Sequence, residues 1–306
     1  MLRAFFLGLS RSASLRRLAE RSAAGKKLSQ RFVAGTTSED ALQVAATLNS
    51  AGMPVSLDDL GENVTSAQEA EESAALYHSL LDELTARGIR GNVSLKLTHM
   101  GLDIDHALSQ RLVTELVAHA ARTKNFVRVD MEGSEYTQHT LDAVRQLHAI
   151  PGHAGHVGAV IQAYLYRSER DVEELLANSI RIRLCKGAYK EPANIAFPKK
   201  SDVDANYIKL MKTLLKSGVF HGIATHDEQM IDATIRFAES EKIARESFEF
   251  QMLYGVRRDL QKRLAAEGYG MRVYVPFGAG WYAYFMRRLA ERPANALFVA
   301  KNLFRK

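Results

Sequence analysis

Cysteine is nearly absent. Cys185 alone in 306 residues excludes a disulfide scaffold and a cysteine-rich metal centre, and suits a reducing compartment. Six Pro and 20 Gly rule out a collagen-like or low-complexity chain. No run of about 18 uncharged apolar residues occurs, so no membrane-spanning helix is predicted. The motifs GxxxxGK[ST], GxSxG and HExxH are missing, and no GxGxxG follows the first strand-like segment. Walker-type ATP binding and Rossmann dinucleotide binding therefore lack support. Gly278-Ala279-Gly280 follows a strand-like segment but runs into Trp281 and Tyr282 without a third glycine. His153 and His156 have metal-like spacing, yet they sit in a Pro-Gly loop with no third ligand beside them and are expected to be solvated. No metal is expected. Cys185 lies among apolar residues and reads as a small core side chain.

What is present is an ordinary globular composition, 46% hydrophobic and 25% charged, with basic ends. The formal net charge is +6; residues 1–35 carry +7 and residues 287–306 carry +5, so the middle is acidic at −6. Basic ends suit anionic surfaces, but the middle has no basic, aromatic-interleaved patch, and nucleic acid is not expected as a partner. Leu2, Phe5, Phe6 and Leu9 fall at helical spacing, and Leu15 and Leu18 resume the stripe among arginines. This basic amphipathic segment, residues 1–35, fits a helix on a membrane surface, a helix packed on the protein body, or a transit peptide. A secretory signal fits poorly, since the apolar stretch is short.

Strand-like segments recur at Met53–Leu57, Asn92–Leu97, Phe126–Met131, Val157–Tyr164, Ile180–Cys185, Val219–Thr225, Ser247–Leu253 and Met271–Phe277. Helical periodicity fills the gaps, as at Thr65–Arg87, Ile104–Thr123, Ser168–Ser179 and Ser201–Ser217, and Ser168 and Ser201 look like helix caps. Strands alternating with helices imply parallel pairing, and eight such units predict a (βα)8 barrel over residues 36–306. In such barrels the site lies at the carboxyl ends of the strands. There the sequence places Lys96, Asp130 with Glu132, Gln162 with Tyr164, Arg183 with Lys186, Thr225 with His226, and Gln251. Arg183 would be explained equally well by a barrel ion pair.

Two constellations are more specific. Arg183-Leu-Cys-Lys186-Gly187-Ala188-Tyr189 ends a strand with two cations and a glycine, which suits a phosphate or an electron-rich ring. In Tyr284-Phe-Met-Arg287-Arg288, the ring and the guanidiniums lie three and four residues apart on one helical face, an arrangement suited to a small carboxylate. Together with Leu95-Lys96-Leu97, Val129-Asp130, Ile161-Gln162-Ala163-Tyr164, Ala224-Thr225-His226 and Phe248-Glu-Phe-Gln251-Met-Leu253, these motifs resemble, in order and spacing, the proline dehydrogenase family in its short monofunctional form. The resemblance runs from about Leu57 to Phe298. Cys185 and Asp227 look like tolerated variations.

The resemblance implies a distorted (βα)8 barrel with extra N-terminal helices and a C-terminal helix over the mouth. It implies FAD held without a covalent bond, and oxidation of L-proline to Δ1-pyrroline-5-carboxylate by hydride transfer from C5 to flavin N5. Carried over residue by residue, Met131, Gln162, Arg183, Lys186, Gly187, Ala188, Thr225 and His226 contact FAD. Lys96, Arg287 and Arg288 hold the proline carboxylate, while Tyr274, Tyr284, Tyr189 and Leu253 wall in its ring. Asp130, Arg183 and Tyr274 are the expected catalytic group, and Glu62 resembles the acidic residue that closes over substrate by pairing with Arg287; capping of the following helix would also explain Glu62. The resemblance also implies a membrane quinone as acceptor, a cytoplasmic location at the inner face of the cell membrane, and a separate pyrroline-5-carboxylate dehydrogenase downstream. Two rivals stand beside this reading. One is a Schiff-base aldolase with Lys96 or Lys186 as nucleophile, the other a non-catalytic membrane-surface adaptor.

Arg288 offers a direct test. Truncating one partner of a desolvated charge pair costs about 2–5 kcal/mol. Arg288→Met should therefore lower kcat/KM for proline by about 30- to 3,000-fold, with flavin content unchanged. Steady-state kinetics with a dye acceptor, alongside flavin occupancy, reads this out; a solvated surface arginine would change almost nothing.

Overall fold

Short runs rich in Val, Ile and Leu each lead into an amphipathic stretch, and an extended run followed by a helix can pair with the next run only in parallel. The structure, a computed structural model, describes residues 31–61 and 64–282. Its eight strands are β1 (Val55–Asp59), β2 (Gly91–Leu95), β3 (Val127–Val129), β4 (Val157–Gln162), β5 (Arg181–Cys185), β6 (His221–Ala224), β7 (Phe248–Leu253) and β8 (Gly270–Phe277). All neighbours are parallel, and β8 returns to β1 with Val55 opposite Val273 and Asp59 opposite Phe277, which closes the barrel. Helix α1 (Ser38–Ser50) precedes β1. The connecting helices are α2 (Ala67–Ala86), α3 (His106–Arg122), α4 (Thr137–Ala149), α5 (Ser168–Leu176), α6 (Lys200–Lys216), α7 (Glu228–Ser240) and α8 (Arg258–Ala266). The expected (βα)8 barrel is what forms. The basic segment up to residue 30 and the helix expected over the mouth lie outside the described residues.

The helices face the sheet for the reason their sequences suggest. On α3, Ser109, Leu112, Val113, Leu116, Val117 and Ala120 are buried at spacings of one and two turns. With Val93, Leu95, Val127, Val129, Ile182, Leu184, Val273 and Val275, the five apolar ones belong to one continuous apolar core. Residues between these alternate to the other face of each strand. Many of those are polar, so this barrel's interior is a hydrogen-bonded one.

Side chains cap several helices, but not through the two serines expected to do so. Thr37 and Asp40 form a capping box on α1, and Ser66, Asp105 and Asp227 cap α2, α3 and α7. Ser168 and Ser201 cap nothing. Ser168 instead takes a hydrogen bond from Asn206 Nδ2 at 3.0 Å, tying α5 to α6, and Asp171 grips Arg167. His153, expected to be solvated, is buried, and His156 Nδ1 lies 2.7 Å from the Asn125 carbonyl. Cys185 is half-buried against the core, with its Sγ 3.6 Å from the Ile161 carbonyl.

Candidate active site

β5 carries Arg183 between Ile182 and Leu184. With those two in the apolar core, the two-residue period turns the guanidinium into the barrel. Its Nε donates to Gln251 Oε1 (2.5 Å), Nη1 to Asp130 Oδ1 (2.6 Å), and Nη2 to Ser56 Oγ (3.2 Å) and Ser94 Oγ (3.0 Å). The Tyr274 ring centroid lies 5.1 Å from the guanidinium carbon, and the Tyr274 hydroxyl donates to Asp130 Oδ2 at 2.7 Å. Burial, then the charge of Asp130, pushes the Tyr274 hydroxyl well above its usual range, so it remains a donor at neutral pH. Arg183 thus sits in a barrel ion pair, and that pair joins the three residues expected to act together. Gly222 makes the arrangement possible, since a Cβ there would stand 2.4 Å from Gln251 Nε2.

Lys96, just beyond β2, extends the polar cluster toward β1. Its Nζ lies 3.2 and 3.3 Å from the two oxygens of Asp58, and both side chains are buried. The next residue, Asp59, is less well matched. Its carboxylate is 3.7 Å from His99 Nε2, and its N–H donates to Tyr77 Oη at 3.2 Å. Burial raises Asp59 from 3.8 to about 6, against the opposing pull of Lys96 and the Leu60 N–H. The Gly278-Ala-Gly280 loop packs here for steric reasons. A Cβ at Gly278 (φ +114°) would lie 2.4 Å from Asp59 Oδ1, and one at Gly280 would lie 1.9 Å from the Leu60 carbonyl.

Across the mouth, β4 and β5 form the other wall. The Gln162 carboxamide donates to the Glu132 carbonyl (2.9 Å) and accepts from the Ala188 N–H (3.3 Å). Glu132 in turn accepts from Thr98 Oγ1 at 2.7 Å. Gly187 turns at φ +116° over the Tyr164 ring, where a Cβ would meet Cδ1 at 2.2 Å. Lys186 is held between Asp204 and Asp227, the latter at 2.7 Å, so its charge is already matched by carboxylates. Asp227, a variation in the sequence motif, both caps α7 and grips this lysine. His226 Nε2 accepts from the Leu253 N–H at 2.9 Å, and Thr225 Oγ1 from the Asp227 N–H at 3.1 Å. Met131 is buried, Leu253 half-buried, and Tyr189 is 42% exposed at the rim.

The described residues thus bring Asp130, Arg183 and Tyr274 into one network, with the Lys96–Asp58 pair two residues beyond Ser94 and Ser56 on β2 and β1, and with Gln162 and Ala188 and the Lys186–Thr225–His226 group on the β4–β6 side. Glu62, Tyr284, Arg287 and Arg288 lie outside the described residues. Sequence reasoning missed Ser56, Asp58, Asp59 and Ser94. Their signal was the alternation Ser56-Leu57-Asp58, which continues the strand past the last apolar residue.

Asp59 predicts a pH dependence. A carboxyl whose folded pKa is raised contributes its stability below about pH 4 and loses it as pH rises through about 6. Asp59→Asn removes that loss, so its stability advantage over wild type should grow by about 2–3 kcal/mol between pH 4 and 7. Urea titrations of both proteins at four pH values measure it; a constant difference would refute the assignment.

The sequence profile described as "Proline dehydrogenase" matches residues 41–301. Proline dehydrogenase 2 of Bacillus subtilis is 43% identical over 99% of this chain and 99% of its own. The proline dehydrogenase of Deinococcus radiodurans is 44% identical over 91% of this chain and 90% of its own. Among solved structures, proline utilization A from Bdellovibrio bacteriovorus, inactivated by N-propargylglycine, superposes with a TM-score of 0.83 at 27% identity. That alignment covers 90% of this chain, which spans about a third (34%) of that larger protein. The profile match over most of the barrel, and relatives above 40% identity over nearly their full length, establish that the chain belongs to the proline dehydrogenase family.

Proposed function

We propose that this chain oxidises L-proline to Δ1-pyrroline-5-carboxylate, with non-covalently held FAD. The observation that carries the reading is the single network in which Arg183 joins Asp130, Tyr274 and Gln251 just below the strand ends. The donor set there fits a flavin dinucleotide. A fixed cation, a carboxamide, an exposed backbone turn at Gly187-Ala188 and the Lys186 ammonium offer partners to both a polar ring edge and a pyrophosphate. Met131, Thr225 and His226 complete that wall. Bound there, FAD supplies a two-electron acceptor for the hydride leaving proline C5.

The chain's own residues prepare the substrate. Lys96, with Arg287 and Arg288, holds the carboxylate, and Tyr189, Tyr284, Tyr274 and Leu253 enclose the ring. Proline must bind with its amine unprotonated, so that the nitrogen lone pair forms the C5=N bond as the hydride departs. Neighbouring cations favour that state by lowering the amine's pKa. Asp130 holds Arg183 and Tyr274 in place through its two oxygens. Glu62 closes the site by pairing with Arg287.

The aldolase reading meets an obstacle in the same geometry. Lys96 faces Asp58, and Lys186 faces Asp204 and Asp227, so each Nζ that a Schiff base would need is engaged by carboxylates. For the electrons' onward path we favour a membrane quinone, reached by a reversible contact of the basic ends with anionic lipid at the inner face of the cell membrane. No helix among the described residues is long and apolar enough to cross a membrane. The product passes to a separate pyrroline-5-carboxylate dehydrogenase.

The purified protein should be yellow, and anaerobic L-proline should bleach its flavin absorbance; a colourless protein that FAD cannot reconstitute would sink the proposal. Each Lys or Arg near an anionic surface contributes about 1 kcal/mol, screened by salt. Deleting residues 1–31 should therefore reduce sedimentation with anionic vesicles at low salt, and equal sedimentation of both proteins would remove the membrane contact.

A further inference from the structure

The opposite end of the barrel holds charge that the proposed reaction does not use. The amino-terminal ends of the strands enclose a cavity of about 260 Å³, lined by Arg128, Arg181, Arg272 and Lys124 with Glu249, and reaching up to Arg183 and Gln251. Arg128 is 5% exposed. Its Nη1 donates to two neutral carbonyls, Ala159 at 2.9 Å and Arg181 at 2.7 Å, and its Nε has no hydrogen-bond partner among the described residues. Gly158 leaves room for it, since a Cβ there would lie 2.7 Å from Arg128 Nη1. The Phe126 ring draws a second guanidinium close, with Arg128 at 4.7 Å and Arg181 at 5.5 Å from its centroid.

Among the described residues, one carboxylate, Glu249, lines this cavity. Glu249 accepts from Arg272 Nε and from Gln251 Nε2 at 2.6 Å each, both at Oε1, and neither bond goes to Arg128 or Arg181. Arg272 also donates to the Val55 carbonyl and Asn92 Oδ1. Arginine cannot shed its proton in a protein. Burial and the nearby guanidiniums of Arg183 and Arg272 disfavour the Arg128 charge, outweighing Glu249 and Asp130. Buried charges are stable only when paired and hydrogen-bonded. A cavity of this size, with guanidinium forks and a lysine at its rim, is suited to a compact oxyanion of high charge.

We propose that this cavity is a binding site for a small multivalent oxyanion of the phosphate class, at the end of the barrel opposite the proline and flavin site. Binding to the folded state alone would stabilise the barrel by linkage. The test uses the full-length, flavin-loaded protein and inorganic phosphate below about 10 mM, well short of the general stabilisation that concentrated phosphate causes, with sodium chloride holding ionic strength constant. Thermal unfolding should show a saturable rise, about 5 °C at a hundredfold excess over Kd, and titration calorimetry should give one phosphate per chain. Arg128→Gln and Arg181→Gln should each weaken phosphate binding at least about tenfold, while Arg181→Gln keeps wild-type proline turnover. If Arg128→Gln does not fold, the more exposed Arg181→Gln alone decides. A shift that chloride reproduces at equal ionic strength, or phosphate affinity unchanged in Arg181→Gln, overturns the site.

Discussion

The guanidinium of Arg183 is a buried positive charge in the middle of the molecule, and the barrel around it is arranged to satisfy that charge. Its hydrogen-bond partners come from β1, β2, β7 and the end of β3, and its ring partner from β8. A charge in this position is tolerated only when its donors are met, and removing one partner of such a pair costs about 3–5 kcal/mol. The requirement reaches beyond the side chain. The strands must close in one register, because a slip of one residue would turn Asp130, Gln251 and both serines away from the axis. Gly222 must lack a side chain for Gln251 to enter the barrel. The same pair that fixes the closure also organises the chemistry proposed at the mouth.

From this centre a chain of hydrogen bonds runs the length of the barrel. Arg183 binds Gln251, Gln251 binds Glu249, and Glu249 binds Arg272 at the opposite end. The two ends differ in balance. At the mouth, Lys96 meets Asp58, and Lys186 meets Asp204 and Asp227. At the floor, Arg128, Arg181 and Arg272 line a cavity in which, among the described residues, Glu249 is the one carboxylate. The mouth is thus poised to exchange partners with a charged substrate or cofactor, whereas the floor has positive charge in excess.

Asp59 marks where the mouth is least settled. It is half-buried beside Lys96 and His99, with Gly61 and the Gly278–Gly280 loop letting two backbone segments crowd around it. Its carboxyl gains a proton more readily than an exposed one because burial outweighs the nearby positive charge. Stability given up here lies at the carboxyl-end rim, where the sites of such barrels sit.

The sequence by itself determined the alternation of strand and helix, since apolar periodicity of two and of 3.6 residues survives any context. It also determined which strand ends carry Lys96, Asp130, Gln162, Arg183, Thr225 and His226, because the motifs lie at those ends in order. Tertiary structure decided the rest. β1 ends at Asp59 rather than Leu57 because pairing with Pro276 and Phe277 of β8 extends it through two aspartates that look like a loop when read alone. Likewise, Ser168 sits where a cap was expected but is claimed by Asn206 from the next helix, a partner 38 residues away. His153 is buried although its loop is rich in turn residues. The paired ends of Lys96 and Lys186 and the cationic floor depend on residues far apart in the chain. Local periodicity encodes where an element runs, but charge compensation is set between strands, so it became fixed only when the barrel closed.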